Sequence, residues 1–237
     1  MKVTALILIS CLSLFASDPI PAVTEVVTKM MQRDMDRQAT LNGFTAMRRY
    51  TLKNRSRRAS MLVRMTSLAD GTKQFKIVEE AGSGVIRKHV FHKMLDEEAN
   101  ASRPNIRQLS RITPTNYSLR IVGTEKVNDR TAYVMEALPK NDSKYLIAGK
   151  VWVDAKDYDI VRVEGKPAKN PSFWTKSVHF VHTYEKNGAF WFPASTRSET
   201  DVRIFGKTEM SIEYFEYLTD SRRLSASGSH TSGSSVQ

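Results

Sequence analysis

One cysteine, Cys11, occurs among 237 residues. It lies inside an apolar N-terminal run, so a processed chain would hold none, and disulfides and thiol catalysis are excluded there. Catalytic patterns are missing in other respects too. The sequence contains no G-x-S-x-G elbow and no H-E-x-x-H pattern, and Ala81-Gly-Ser-Gly84 is not followed by the Gly-Lys-Ser/Thr of a phosphate loop. No basic stretch is interleaved with a stacking platform of the kind single-stranded nucleic acid requires. Beyond the first residues no apolar stretch approaches membrane-spanning length. His89/His92 and His179/His182 have helical spacing but fall in alternating stretches, where residues three apart face opposite ways. Neither a metal nor a cofactor is therefore expected, and the chain reads as a non-enzyme.

What is present begins with Lys2 and the run Val3-Thr-Ala-Leu-Ile-Leu-Ile-Ser-Cys-Leu-Ser-Leu-Phe-Ala16, too short to span a bilayer and placed where a secretory signal belongs. The expected division is a signal peptide over 1–17, one domain over 18–224, and a Ser/Gly-rich disordered tail over 225–237. The reading is an exported, soluble, periplasmic protein. Leu8-Ile-Ser-Cys11 resembles a lipobox, although the apolar run continues past it; a form lipidated on Cys11 is the minor alternative. Hydrophobic residues make up 41% of the chain, enough for a sizeable core, and 36 Lys and Arg against 25 Asp and Glu give +11. That excess suits anionic headgroups or an acidic partner rather than nucleic acid in an exported protein.

The hydrophobic pattern changes period once, near Gly43. From Ala22 to Leu41, Val23, Val26, Val27, Met30, Met31 and Met35 recur at about 3.6 residues, which predicts a helix with Thr24 as N-cap and Asn42-Gly43 as its end. From Phe44 the period is two. Strands are expected around Phe44–Tyr50, Met61–Met65 and Phe75–Val78, and again at Val85–Phe91. A short helix over Phe91–Ala101 and a polar loop over 102–114 come next. Strands then resume from Tyr117 to Tyr217, with a turn at Asn187-Gly188 and a last hairpin at Phe205-Gly206. Gly149 to Gly165, GKVWVDAKDYDIVRVEG, is the clearest hairpin: Val151, Val153, Val161 and Val163 alternate around the polar connection Asp154-Ala-Lys-Asp-Tyr-Asp159. Both its faces carry apolar residues, so the sheet should have apolar material on each side. Between the first two strands Arg55, Arg57 and Arg58 form a cationic tip.

These residues carry a family resemblance. The hairpin Gly149–Gly165, the segment Ser172-Phe-Trp174, the run Tyr184-Glu-Lys-Asn-Gly-Ala-Phe-Trp-Phe-Pro193 and Ile212-Glu-Tyr-Phe-Glu-Tyr217, in that order, resemble the LolA-like family of periplasmic outer-membrane lipoprotein-sorting proteins and their relatives. The likeness covers about Asn116 to Tyr217, and the leading helix fits the family's helix-first order. It implies an α+β, mainly β fold: a single strongly curved antiparallel sheet of about 10–11 strands, an unclosed half-barrel. The N-terminal helix and a short helical insertion would cover its concave side. It also implies a carrier that holds the acyl chains of a lipoprotein or lipid in an apolar cavity. Met30, Met31, Trp152, Trp174 and Phe180 are the expected lipid-binding residues. Arg55, Arg57 and Arg58 would dock on an anionic membrane surface or on a partner protein of the inner or outer membrane. Relatives of this fold also act as envelope sensors, so a protein-interaction module with a filled core, a basic docking surface and no lipid cargo stays open. The composition leaves both readings available, and the face of the sheet that lines any cavity is undetermined.

Overall fold

The computed structural model describes residues 20–169, 175–202 and 206–219. The expected signal peptide, Cys11, the Ser/Gly-rich tail, Ser172, Trp174 and the Phe205 turn position lie outside them.

The chain opens with α1 (Val23–Thr40). Val26, Val27 and Met30 recur on one face and are buried, as the helical period requires. The N-cap is Ala22 rather than Thr24, and no side chain caps the helix; Thr24 sits in the first turn, where its carbonyl accepts the Thr28 hydroxyl at 2.8 Å. The helix ends just before Asn42-Gly43, although its C-cap is Leu41 in an extended conformation rather than a left-handed residue. Gly43 has φ +86°, and a Cβ there would meet the Ser67 carbonyl oxygen at 2.5 Å, so only glycine fits.

Three strands follow, β1 (Phe44–Asn54), β2 (Arg58–Ser67) and β3 (Lys73–Gly82). A helical insertion then runs through α2 (Gly84–Ile86), a π-helical turn (Arg87–Phe91) and α3 (His92–Ala101), and on to α4 (Pro104–Arg107). Seven further strands complete the chain: β4 (Tyr117–Val127), β5 (Arg130–Pro139), β6 (Ile147–Asp154), β7 (Ile160–Pro167), β8 (Thr175–Asn187), β9 (Phe190–Val202) and β10 (Gly206–Thr219). All ten strands form one antiparallel sheet in the order β3-β2-β1-β10-β9-β8-β7-β6-β5-β4. The sheet is unclosed, with β3 and β4 as its edges. Bulges at Thr45/Met47, Leu62/Val63, Ile121/Gly123 and Trp152/Val153 bend it. Asn128 and Asp129, at φ +49° and +63°, make the tight hairpin between β4 and β5.

Two expectations need correction. Val85–Phe91 is helical, not a strand. Ile86, Val90, Phe91, Met94 and Leu95 belong to one apolar cluster under the insertion, a helical spacing visible only when 85–91 and 91–101 are joined. Burial of that stripe overrides the β-branched preference of Val85-Ile86. His89 and His92 therefore sit three apart on a helical segment, where His92 meets the Glu80 carboxylate at 2.7 Å. The expected loop 102–114 also contains α4 and a 3₁₀ turn, Gln108–Ser110.

The core is divided. Beneath α1, Val26, Val27 and Met30 pack on Tyr117, Met135, Ala137, Val151, Val153 and Val163. Beneath the helical insertion, Ile86, Phe91 and Leu95 pack on Tyr50, Leu52, Met61, Val63 and Ile212. Ala132, Val134, Trp152, Val161 and Trp191 form a third cluster. Trp152 and Val161 alternate with Val151, Val153 and Val163, so this cluster covers the other face of β5–β7.

Gly149 and Gly165 face each other across β6 and β7. A Cβ on Gly149 would collide with the Glu164 carbonyl and lie 2.6 Å from the Gly165 Cα. We expect Gly149→Ala to destabilise the chain by about 2 kcal/mol, read as a lower urea midpoint at unchanged slope. A midpoint within error of the wild type would show that the strands part freely at this pair.

Candidate functional site

The Asp154–Asp159 connection is held by charge. Asp154, 1% exposed, accepts the Lys156 and Asp157 N–H groups at 2.9 and 2.7 Å and both arms of Arg130 at 2.6 and 2.7 Å. Burial alone would raise its carboxyl; these donors outweigh it and hold the group below the usual carboxylate range. Asp157 accepts from Arg130, Lys186 and the Trp191 indole. The turn so fixed places Tyr158, with φ +58°, and Asp159 against α1.

Between them and α1 opens a cleft of about 290 Å³. Its walls include Met30, Met31, Asp34 and Arg37, which share one side of α1. Opposite lie Arg111 and Ile112 of the 110–113 segment, Ile160 at the start of β7, Tyr184 of β8 and Trp191 of β9. The floor is apolar and the rim charged. Asp159 accepts from the Arg33 Nε at 2.7 Å, and Asp34 from Arg111 at 2.6 Å. Burial raises the Asp159 carboxyl, a rise Arg33 only partly offsets. Arg37 donates to the Trp191 carbonyl and lies 5.2 Å from the Phe192 ring; burial lowers its pKa. Both carboxylates are engaged by arginines, so neither stands ready as a general base.

A polar belt runs between the α1 cluster and the insertion cluster. Arg48, 1% exposed, bonds Glu98 of α3 at 2.8 Å and the Tyr50 hydroxyl at 3.3 Å. Lys73 reaches the same carboxylate at 2.6 Å. The Arg48 guanidinium lies 4.8 Å from the Tyr214 ring, and Thr196 links the Tyr214 hydroxyl at 3.3 Å to His182 Nδ1 at 2.6 Å. Burial would raise the Glu98 carboxyl, but Lys73 and Arg48 outweigh it and hold it at about 2. Burial pushes the His182 imidazole down to about 4.

Of the residues singled out in the sequence, Met30, Met31 and Phe180 come together at the α1 cluster. Trp152 does not join them: it packs on the third cluster, under the Arg162 guanidinium at 4.7 Å. Arg55, Arg57 and Arg58 are exposed at the β1–β2 tip, shaped by the Asn54 side chain accepting the Ser56 and Arg57 N–H groups. Sequence reasoning passed over Asp34, Arg37, Arg111 and Tyr184. Asp34 and Arg37 were within reach, since they follow Met30 by four and seven positions on one helical stripe. A second depression, about 710 Å³, crosses β1, β10, β9, β8 and β7 among Lys53, Arg162, Arg197, Glu199 and Glu209. Met30, Met31, Trp152 and Phe180 do not line it. Among the described residues no group of three or more His, Cys, Asp or Glu is placed to hold a metal ion, and no helix is long and apolar enough to cross a membrane.

A family model whose description reads "-like: Uncharacterized protein" matches residues 102–223, more than half of the chain. The chain belongs to that family. No curated protein matches the sequence. Among solved structures, the chain is similar to a Vibrio parahaemolyticus domain described provisionally as outer membrane lipoprotein-sorting, at 14% identity and TM-score 0.49, covering 82% of this chain and 92% of that one. It is similar to a DUF1329 family protein from Desulfovibrio piger, at 12% identity and TM-score 0.43, over 84% and 93% of the two chains. It is also similar to a LolA superfamily protein from Nitrosomonas europaea, at 10% identity and TM-score 0.40, over 81% and 92%. The geometry of the cleft comes from this chain alone.

The belt makes stability depend on pH. His182 takes up a proton near 6.5 in the unfolded chain but only near 4 when folded. Its contribution is whole above pH 6.5 and is lost as pH falls toward 4. Glu98 acts below that, its contribution being lost from about 4.5 down to about 2. We expect the wild type to lose on the order of 2 kcal/mol between pH 7 and 4 that His182→Gln does not lose. Denaturant melts across that range check it, and parallel pH profiles of the two chains would refute the assignment.

Proposed function

We propose that the protein is an exported, periplasmic binding protein that shelters the acyl chains of a lipid or lipoprotein between α1 and the sheet, and that it acts by binding rather than turnover. The observation that carries this reading is the cleft: it opens at the edge of α1 directly onto the apolar cluster. Met30 and Met31 stand on one side, Ile112, Ile160 and Tyr184 on the other. Methionine suits such a wall, because its flexible, polarisable side chain fits chains of varied shape. At about 290 Å³ the cleft sits at the bottom of the roughly 300–1,000 Å³ range of ligand sites. Taking up a long acyl chain therefore requires α1 to shift on the sheet. Each methylene buried would return about 0.8 kcal/mol. In the same reading the exposed tip at Arg55, Arg57 and Arg58 meets an anionic membrane surface or a partner protein.

The competing reading, an interaction module without cargo, rests on the nearly complete burial of Val26 and Val27 of α1. Native mass spectrometry with lipid extraction, on protein from the envelope fraction, separates the two. We expect a phospholipid, fatty acid or acylated peptide at stoichiometric level, and a loss of about tenfold or more in bound lipid for Met31→Asp, a half-buried position where the fold should persist. Near-UV circular dichroism confirms that it does. A lipid-free mass, with no uptake of a fluorescent fatty acid, would overturn the carrier reading in favour of the interaction module.

A further inference from the structure

The charges around the cleft do not cancel pairwise. Arg33 is matched to Asp159 and Arg111 to Asp34, at 2.7 and 2.6 Å. Arg37, one turn further along α1, has no carboxylate within ion-pairing distance among the described residues. A guanidinium carries five donors, and Arg37 spends one on the Trp191 carbonyl. Its flat face rests on Phe192, which fixes the plane of the fork. The same side chain lines the cleft whose floor is Met30, Met31, Ile160 and Tyr184. A positioned, half-buried cation with spare donors at the mouth of an apolar floor is complementary to one ligand type: an anionic group on an apolar tail.

We propose that this cleft binds the headgroup end of an anionic amphiphile, its carboxylate or phosphate on Arg37 and its first methylenes on Met30 and Met31. This rests on the acyl-binding reading and adds the chemistry of the head. Asp34 and Asp159 sharpen the selection. Tied to Arg111 and Arg33, they hold Arg37 as the single unmatched charge and would repel an anion seated away from it. A neutral alcohol of the same length gains the apolar floor but not the charge-assisted hydrogen bonds.

The test compares decanol, decanoate and decyl phosphate on the full-length chain by isothermal titration calorimetry near pH 7.5. We expect at least one of the anions to bind about tenfold or more tightly than decanol. Which anion is favoured tells a fatty-acid carboxylate from a lipid phosphate. Arg37→Gln, which can still reach the Trp191 carbonyl, should bring all three within about threefold, with near-UV circular dichroism as the check on folding. Arg37→Lys should keep part of the preference. Equal binding of the three probes by the wild type would overturn the headgroup assignment and leave the acyl reading standing, as would an anion preference that survives Arg37→Gln. Failure of all three to bind would overturn both.

Discussion

The rest of the molecule depends on the pairing of β1 with β10. β1–β3 form one local meander and β4–β10 another; only the ladder from Phe44↔Thr219 to Asn54↔Thr208 joins them. These partners lie near opposite ends of the domain, so the ladder closes against a large loop entropy. The register sets Arg48 opposite Tyr214 and Tyr50 opposite Ile212, and the polar belt lies on that seam. A two-residue slip would keep the alternation of apolar and polar faces. It would also carry the Tyr214 ring, with its Thr196 and His182 partners, away from the Arg48 guanidinium. The Arg48–Tyr214 contact therefore specifies a register that hydrophobic alternation alone would let slide.

An unclosed sheet must also protect its edges. On β3, Lys73, Lys76, Glu79 and Glu80 put charge along the strand, and Glu80 draws in Arg87 and His92 from the helical insertion at 3.7 and 2.7 Å. On β4, Arg120, Glu125 and Lys126 serve the same end, and the bulge at Gly123 breaks the regular ladder. Charge and irregularity at both edges oppose strand-to-strand association. Between them, β5–β7 are apolar on both faces, and the Arg130–Asp154 clamp fixes the hairpin end that presents Tyr158 and Asp159 to α1.

Much of this was legible in the residues. Period 3.6 before Gly43 and period two after it gave the leading helix and most strands, and the Gly149–Gly165 pattern placed the hairpin within a few residues. What escaped did so for physical reasons. Val85-Ile86 carries strand preference, and only the apolar stripe down to Leu95, packed on β1 and β2, makes the segment helical. Trp152 and Phe180 are both large apolar strand residues, and alternation alone does not say which face a helix will cover; Phe180 falls on the side of the α1 cluster and Trp152 on the other. Arg37 was invisible as a site because a charged residue on a helix ordinarily faces water. Its place in the cleft depends on Trp191 and Phe192, far along the chain.

The way α1 is held bears on how the cleft could enlarge. Its two ion pairs with the rest of the chain, Arg33 to Asp159 and Arg111 to Asp34, lie at the rim with side chains 31% and 33% exposed on the arginine side, and pairs of that kind contribute about 1 kcal/mol or less each. Burial of Val26, Val27 and Met30 contributes about 1.5–3 kcal/mol for each side chain and is the larger restraint. Apolar burial is also the one term an incoming acyl chain could replace in kind, methylene for methylene. The belt beneath the insertion has no such substitute, because a lipid tail offers nothing to Arg48 or Glu98. If one helical cover yields to a lipid, the energetics favour α1, while the insertion stays locked to the seam.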